Sequence, residues 1–125
     1  MLRVLATVVL FLTFPFMQSQ TPTSQPSAPA KKYFIAIFSR GPAWEANKQA
    51  AEQIGFKEHS ENLRRLRTEK RIPVGGRYGE KGMVILEANS EDEARSHFAS
   101  DLMVIKRSFD LELHEFRPFY KGSIE

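Results

Sequence analysis

From Lys32 onward the chain alternates between short apolar runs and polar segments with helical periodicity. Lys32–Ser39 (KYFIAIFS) is rich in β-branched and aromatic residues and is ended by Arg40-Gly41-Pro42, which predicts a strand. Ala43–Gly55 is polar and Ala-rich and predicts a loop with some helix. In Phe56–Lys70 the apolar face recurs at Phe56, His59 or Ser60, Leu63 and Leu66, the spacing of a helix. Ile72–Val74 begins a second strand, Tyr78–Gly82 (YGEKG) reads as a turn, and Met83–Ala88 (MVILEA) as a third strand. Ser90-Glu91-Asp92-Glu93 has the form of a capping box, with Ser90 as N-cap and Glu93 in the reciprocal position, and opens a second helix to about Ser100. Phe109–Phe116 (FDLELHEF) alternates strictly and predicts the fourth strand.

The order β-α-β-β-α-β predicts an α+β, ferredoxin-like antiparallel sheet with both helices on one face. Strands one and three are apolar on both faces: Tyr33, Ile35 and Ile37 alternate with Phe34, Ala36 and Phe38, and Met83 and Ile85 with Val84 and Leu86. A sheet with one wet face alternates polar with apolar, so the second face needs a cover. A second copy of the chain is the simplest one, which predicts a homodimer whose sheets meet face to face. On the fourth strand Asp110, Glu112 and His114 share a side, where they either line a pocket or sit on a wet edge.

The first thirty positions stand apart from this domain. After Met1-Leu2-Arg3, Val4–Met17 is uncharged and mostly apolar; its 14 residues fall short of the ~20 that span a membrane and suit a signal-peptide core. This predicts a signal peptide over 1–20 and a periplasmic or secreted protein, with a retained N-terminal anchor as the alternative. Thr21–Ala30 (TPTSQPSAPA) has the composition of a disordered linker. The folded domain is expected over 31–120, with a tail at 121–125, and no stable membrane span is expected once the signal is cut.

Composition narrows the chemistry. With 0 cysteines the chain has no disulfide, thiol chemistry or cysteine-ligated zinc. Loss of Arg3 with the signal leaves 17 basic against 15 acidic residues. The basic run Arg64-Arg65, Arg67, Lys70-Arg71 is interleaved with Glu58, Glu61 and Glu69, the pattern of a solvated helix face, so no nucleic-acid partner is expected. There is no phosphate loop and no metal-spaced cluster, so neither cofactor nor metal is expected.

Chain direction brings together what chemistry remains. The first helix begins, and the second ends, at the end of the sheet where strand one exits. His59 lies in the opening turn of the first helix and Asp101 just past the end of the second, both near Arg40-Gly41-Pro42. A carboxylate accepting the proton of one imidazole nitrogen fixes the tautomer and leaves the other nitrogen free as a general base. The competing reading makes His59 a core histidine satisfied by one hydrogen bond and Asp101 a turn residue. Ser60 and Ser100 lie nearby without a context that marks either as a nucleophile; His97 falls on a helix flank and His114 on a strand edge.

At these residues the chain resembles the YCII-related (YciI-like) family. KKYFIAIFSRGPAW is similar to that family's opening strand and Arg-Gly-Pro turn. Glu58-His59 with Leu63-Arg64-Arg65-Leu66 is similar to its helix, MVILEANSEDEAR to its strand and following helix, Ser100-Asp101 to its Asp-Pro position, and LELHEFRPFY to its last strand. The resemblance covers about Lys31–Tyr120. It implies a dimeric α/β barrel and an active site built on a His-Asp pair, here His59 and Asp101. The chain departs from the pattern at Leu102 and Arg77, where the family has prolines, and at Lys70, where it has glycine. Arg77, with Arg40, is a candidate for binding an anionic substrate, the alternative being that Arg77 is simply solvated. Two function classes follow: a cofactor-free lyase or isomerase-type enzyme acting on a small molecule through His59 and Asp101, or a non-catalytic module for small-ligand binding or dimerisation in the periplasm.

Overall fold

The computed structural model describes Ala28 and residues 30–122. The segment read as a signal peptide, most of the linker and the end of the tail lie outside the described residues. The elements are β1 (Lys32–Arg40), a 3-10 turn (Ala50–Glu52), α1 (Phe56–Thr68), β2 (Val74–Tyr78), β3 (Lys81–Ala88), α2 (Glu91–Ser96), α3 (Leu102–Ile105) and β4 (Phe109–Phe116). The strands form one antiparallel sheet in the order β2-β3-β1-β4. The fold is α+β and compatible with a ferredoxin-like arrangement.

β1 is central, and its alternation decides the layering. Phe34, Ala36 and Phe38 share one face with Val84, Leu86 and Ala88 of β3 and Leu113 of β4, and against that face pack Leu66 of α1, Ala94 of α2 and Phe98 behind it. Each large apolar side chain so buried contributes about 1.5–3 kcal/mol. The other face carries Tyr33, Ile35, Ile37 and Met83, which are only half-buried, together with Ile85. β4 is an edge strand whose Glu112 and His114 face solvent, which selects the wet-edge reading of that strand.

Several boundaries differ from expectation. β2 starts at Val74 rather than Ile72, because Ile72 turns inward to pack on the core. β2 and β3 then run further toward each other, leaving a two-residue turn, Gly79-Glu80, with Tyr78 paired to Lys81. Gly79 at φ 56° supplies the left-handed residue that such a hairpin needs. The expected second helix is broken: α2 ends at Ser96, and a separate turn of helix, α3, follows Asp101. Ser90 caps α2 by accepting from Glu93 N at 3.1 Å, but the Glu93 carboxylate reaches back to Asn89 N, at 2.8 Å, instead of Ser90 N. Its other oxygen is taken by Arg71 Nη1 at 2.8 Å, so the capping box is only half formed.

α1 ends at Thr68, two residues before its expected end, in a Schellman arrangement. Lys70 N donates to Arg67 O and Arg71 N to Leu66 O, both at 2.9 Å, with Lys70 at φ 59°. A left-handed conformation at a residue with a Cβ costs about 1–2 kcal/mol, more than the ~0.5–1 kcal/mol of chain entropy that glycine carries. Lys70→Gly is therefore expected to stabilise the fold by about 0.5–1 kcal/mol, read as a higher denaturation midpoint at unchanged slope in urea titration.

Candidate functional site

Two helix starts build the centre of the site. α1 begins at Gly55, whose φ of 90° is left-handed and whose carbonyl accepts His59 N at 3.0 Å. A Cβ on Gly55 would stand 3.0 Å from the carbonyl carbon and side chain of Leu102, so glycine lets the start of α1 sit directly against the start of α3. That approach brings His59, one turn into α1, over Asp101, the N-cap of α3. Asp101 Oδ1 accepts Met103 N at 3.1 Å, and Oδ2 lies 2.6 Å from His59 Nδ1. The sequence placed Asp101 in a turn trailing the second helix; it is instead a capping residue with both carboxylate oxygens engaged.

The pair is desolvated: His59 is 6% and Asp101 1% exposed. The imidazole stands edge-on to Phe38 at 4.9 Å and Phe109 at 5.2 Å between ring centroids. With Asp101 as acceptor, Nδ1 carries the hydrogen and Nε2 of the neutral ring has its lone pair free. Nε2 has no protein hydrogen-bond partner among the described residues, and it is not among the sealed polar atoms. It opens to a cavity of about 790 Å³ that lies between α1, the β2–β3 hairpin and the segment leaving β1.

This cavity also takes in Arg40 and Arg77. The pairing Arg77↔Gly82 turns Arg77 to the helix-covered side of the edge strand β2, and Gly75, opposite Val84, leaves that side without bulk. Arg40 pairs with Glu80 at 3.3 Å, and its guanidinium lies 5.0 Å from the Trp44 ring centre. Arg40 is carried into place by the tight exit of β1: Gly41 N donates to Ser108 O at 2.9 Å, and a Cβ on Gly41 would stand 2.2 Å from Arg107 O.

The other residues singled out by sequence stand elsewhere, apart from Ser60, which also lines the cavity. His114 is exposed beside Glu112, and Asp110 pairs with Arg107. Arg64 and Arg67, read as part of a solvated helix face, line the cavity with Ser60. Their spacing held a signal: positions 60, 64 and 67 form one helical stripe, and neither arginine has an acidic residue four positions away, whereas Arg65 has Glu61 and Glu69. Among the described residues no group of three or more His, Cys, Asp or Glu is placed to hold a metal ion, and no helix is long and apolar enough to cross a membrane. No protein-family model and no curated protein matches this chain.

His97 lies outside this site and behaves differently. Its Nε2 is the one buried side-chain polar atom without a hydrogen-bond partner among the described residues; Glu93 Oε1, at 3.8 Å, is already held by Arg71. Burial, and then the charge of Arg71, push the His97 imidazole below its ordinary value of 6.5. The unfolded chain therefore takes up a proton on this histidine before the folded chain does. The stability that His97 contributes is present above its ordinary value of 6.5 and is lost as the pH falls from there toward the lower folded value. His97→Phe is expected to flatten that acid-side slope, measured as urea midpoints between neutral pH and about pH 5.

Proposed function

We propose that this protein is an exported, homodimeric member of the YCII-related family, a cofactor-free lyase or isomerase-type enzyme acting on a small molecule. His59 is its general base, Asp101 the residue that orients the base, and Arg40 and Arg77 are substrate-binding groups. The observation that carries this reading is the buried 2.6 Å contact between His59 and Asp101 with Nε2 turned to an open cavity. A core histidine would have both nitrogens enclosed.

The chemistry needs only proton transfer. Nε2 takes a proton from a carbon or hydroxyl of the substrate, and the electron pair left behind forms a new double bond. In a lyase the leaving group departs with its own electron pair; in an isomerase the proton returns from Nε2 to a second atom. Asp101, accepting from Nδ1 throughout, stabilises the imidazolium formed midway, and the aromatic surround excludes the water that would weaken that interaction.

Two local conformations support the family reading where the sequence departs from the pattern. Lys70, in a glycine position, adopts φ 59°. Leu102, in a proline position, is the first residue of α3, where proline's missing N–H costs nothing. The half-buried apolar face of β1 and β3 supports the barrel dimer, since a second copy supplies the cover that one sheet lacks. The short apolar run at Val4–Met17 supports export, and the acid-interleaved basic run gives no stripe for nucleic acid.

A turnover screen with small unsaturated acids and halogenated phenols tests the reading. His59→Gln is expected to lose about 100-fold or more in turnover while keeping its fold and oligomeric state, and Asp101→Asn to lose less. Equal turnover by wild type and His59→Gln, or ligands bound by the wild type but never converted, would establish a binding module instead. Sedimentation is expected to give a dimer at micromolar concentration; a monomer removes the face-to-face barrel.

A further inference from the structure

Nine arginines lie among the described residues. Six have a carboxylate oxygen within 4.0 Å: Arg40, Arg65, Arg71, Arg95, Arg107 and Arg117. Arg64, Arg67 and Arg77 have none among those residues, and all three line the cavity into which His59 opens. Lys48, also on its wall, is held by Glu45 at 2.8 Å, and the cavity's one acid, Glu80, is held by Arg40. The cavity thus carries an excess of positive charge that the protein leaves unneutralised. Arg64 and Arg67 come from α1 and Arg77 from β2 opposite, so the charges approach one space from two sides. Guanidinium groups gathered in a concave site favour an anion there, and their planar fork suits a carboxylate.

The part of the lining around His59 is aromatic. Trp44 stacks on Phe109 with centroids 5.7 Å apart and planes 21° from parallel, and Phe38 and Phe56 extend that wall around His59. Such a surface favours a flat apolar body.

We propose that the cavity takes a small organic carboxylate, its anionic group held by Arg64, Arg67 and Arg77 and its flat apolar body laid along the aromatic wall beside Nε2 of His59. This names the substrate class for the site proposed above and rests on the reading of this cavity as the place where His59 works. Trp44 is the chain's single tryptophan, so its fluorescence reports occupancy of the cavity.

The test titrates full-length protein with benzoate, cinnamate and sorbate, each beside its uncharged primary amide, and with inorganic phosphate. At least one acid is expected to bind about tenfold or more tighter than its amide at low salt, with the preference shrinking as salt rises. The combined variant Arg64→Gln, Arg67→Gln, Arg77→Gln is expected to lose that preference, and Arg77→Gln alone to weaken it. Arg65→Gln, whose partner is Glu69, keeps it, and so does His59→Gln. The proposal is overturned if no acid outbinds its amide or if phosphate binds as tightly as the acids. It is equally overturned if Arg65→Gln or His59→Gln abolishes the preference as fully as the triple change. Acid preference without turnover of any acid would remove the general-base reading and leave this one standing.

Discussion

The desolvated carboxylate of Asp101 ties the two halves of this molecule's chemistry together. One of its oxygens caps the start of a helix and the other holds an imidazole, so one side chain both starts α3 and sets the orientation of His59. Such a group, 1% exposed, is tolerated only when fully engaged, because a buried carboxylate that loses a partner forfeits its hydration without compensation. The contact in turn demands that α1 and α3 begin side by side. That is why Gly55 stands where it does: a side chain there would displace Leu102 and with it the cap.

The cavity follows from a second constraint, the thinness of β2. Its face toward the helices carries Gly75, so that edge strand cannot fill the space below α1 as β1 and β3 do with Phe38, Val84 and Leu86. The void is therefore bounded by aromatic residues on the sheet side and by arginines on α1 and the hairpin. An imidazole with an open nitrogen, an apolar wall and uncompensated cations thus meet in one concavity. The opposite face of the sheet carries Ile35, Ile37, Met83 and Ile85 at its centre, with Glu87, Glu112 and His114 paired beside them.

Much of the fold was legible locally. The strict alternation of Phe109–Phe116, the apolar runs of β1 and β3 and the periodicity of α1 identify elements because side-chain direction repeats every 2 residues in a strand and about every 3.6 in a helix. The same patterns, read with chain direction, brought His59 and Asp101 to one end of the sheet. Legibility failed where local preference met competition from distant groups. Ile72 was drawn into the core, Glu93 was shared with Arg71, and the stretch after Ser96 broke so that Asp101 could cap a new helix.

The sequence by itself therefore determined the strands, the long helix, the absence of thiol chemistry and the identity of the two residues that meet. Each depends on periodicity, composition or chain direction, which neighbouring residues express without help. Only the tertiary structure decided that Asp101 spends one oxygen on a helix and the other on His59, and that Nε2 faces a cavity rather than the core. It also completed the separation of Arg64, Arg67 and Arg77 from the six arginines that have carboxylate partners, of which the spacing on α1 held only a trace. Those outcomes turn on distances between side chains from different elements, which packing sets and sequence spacing does not.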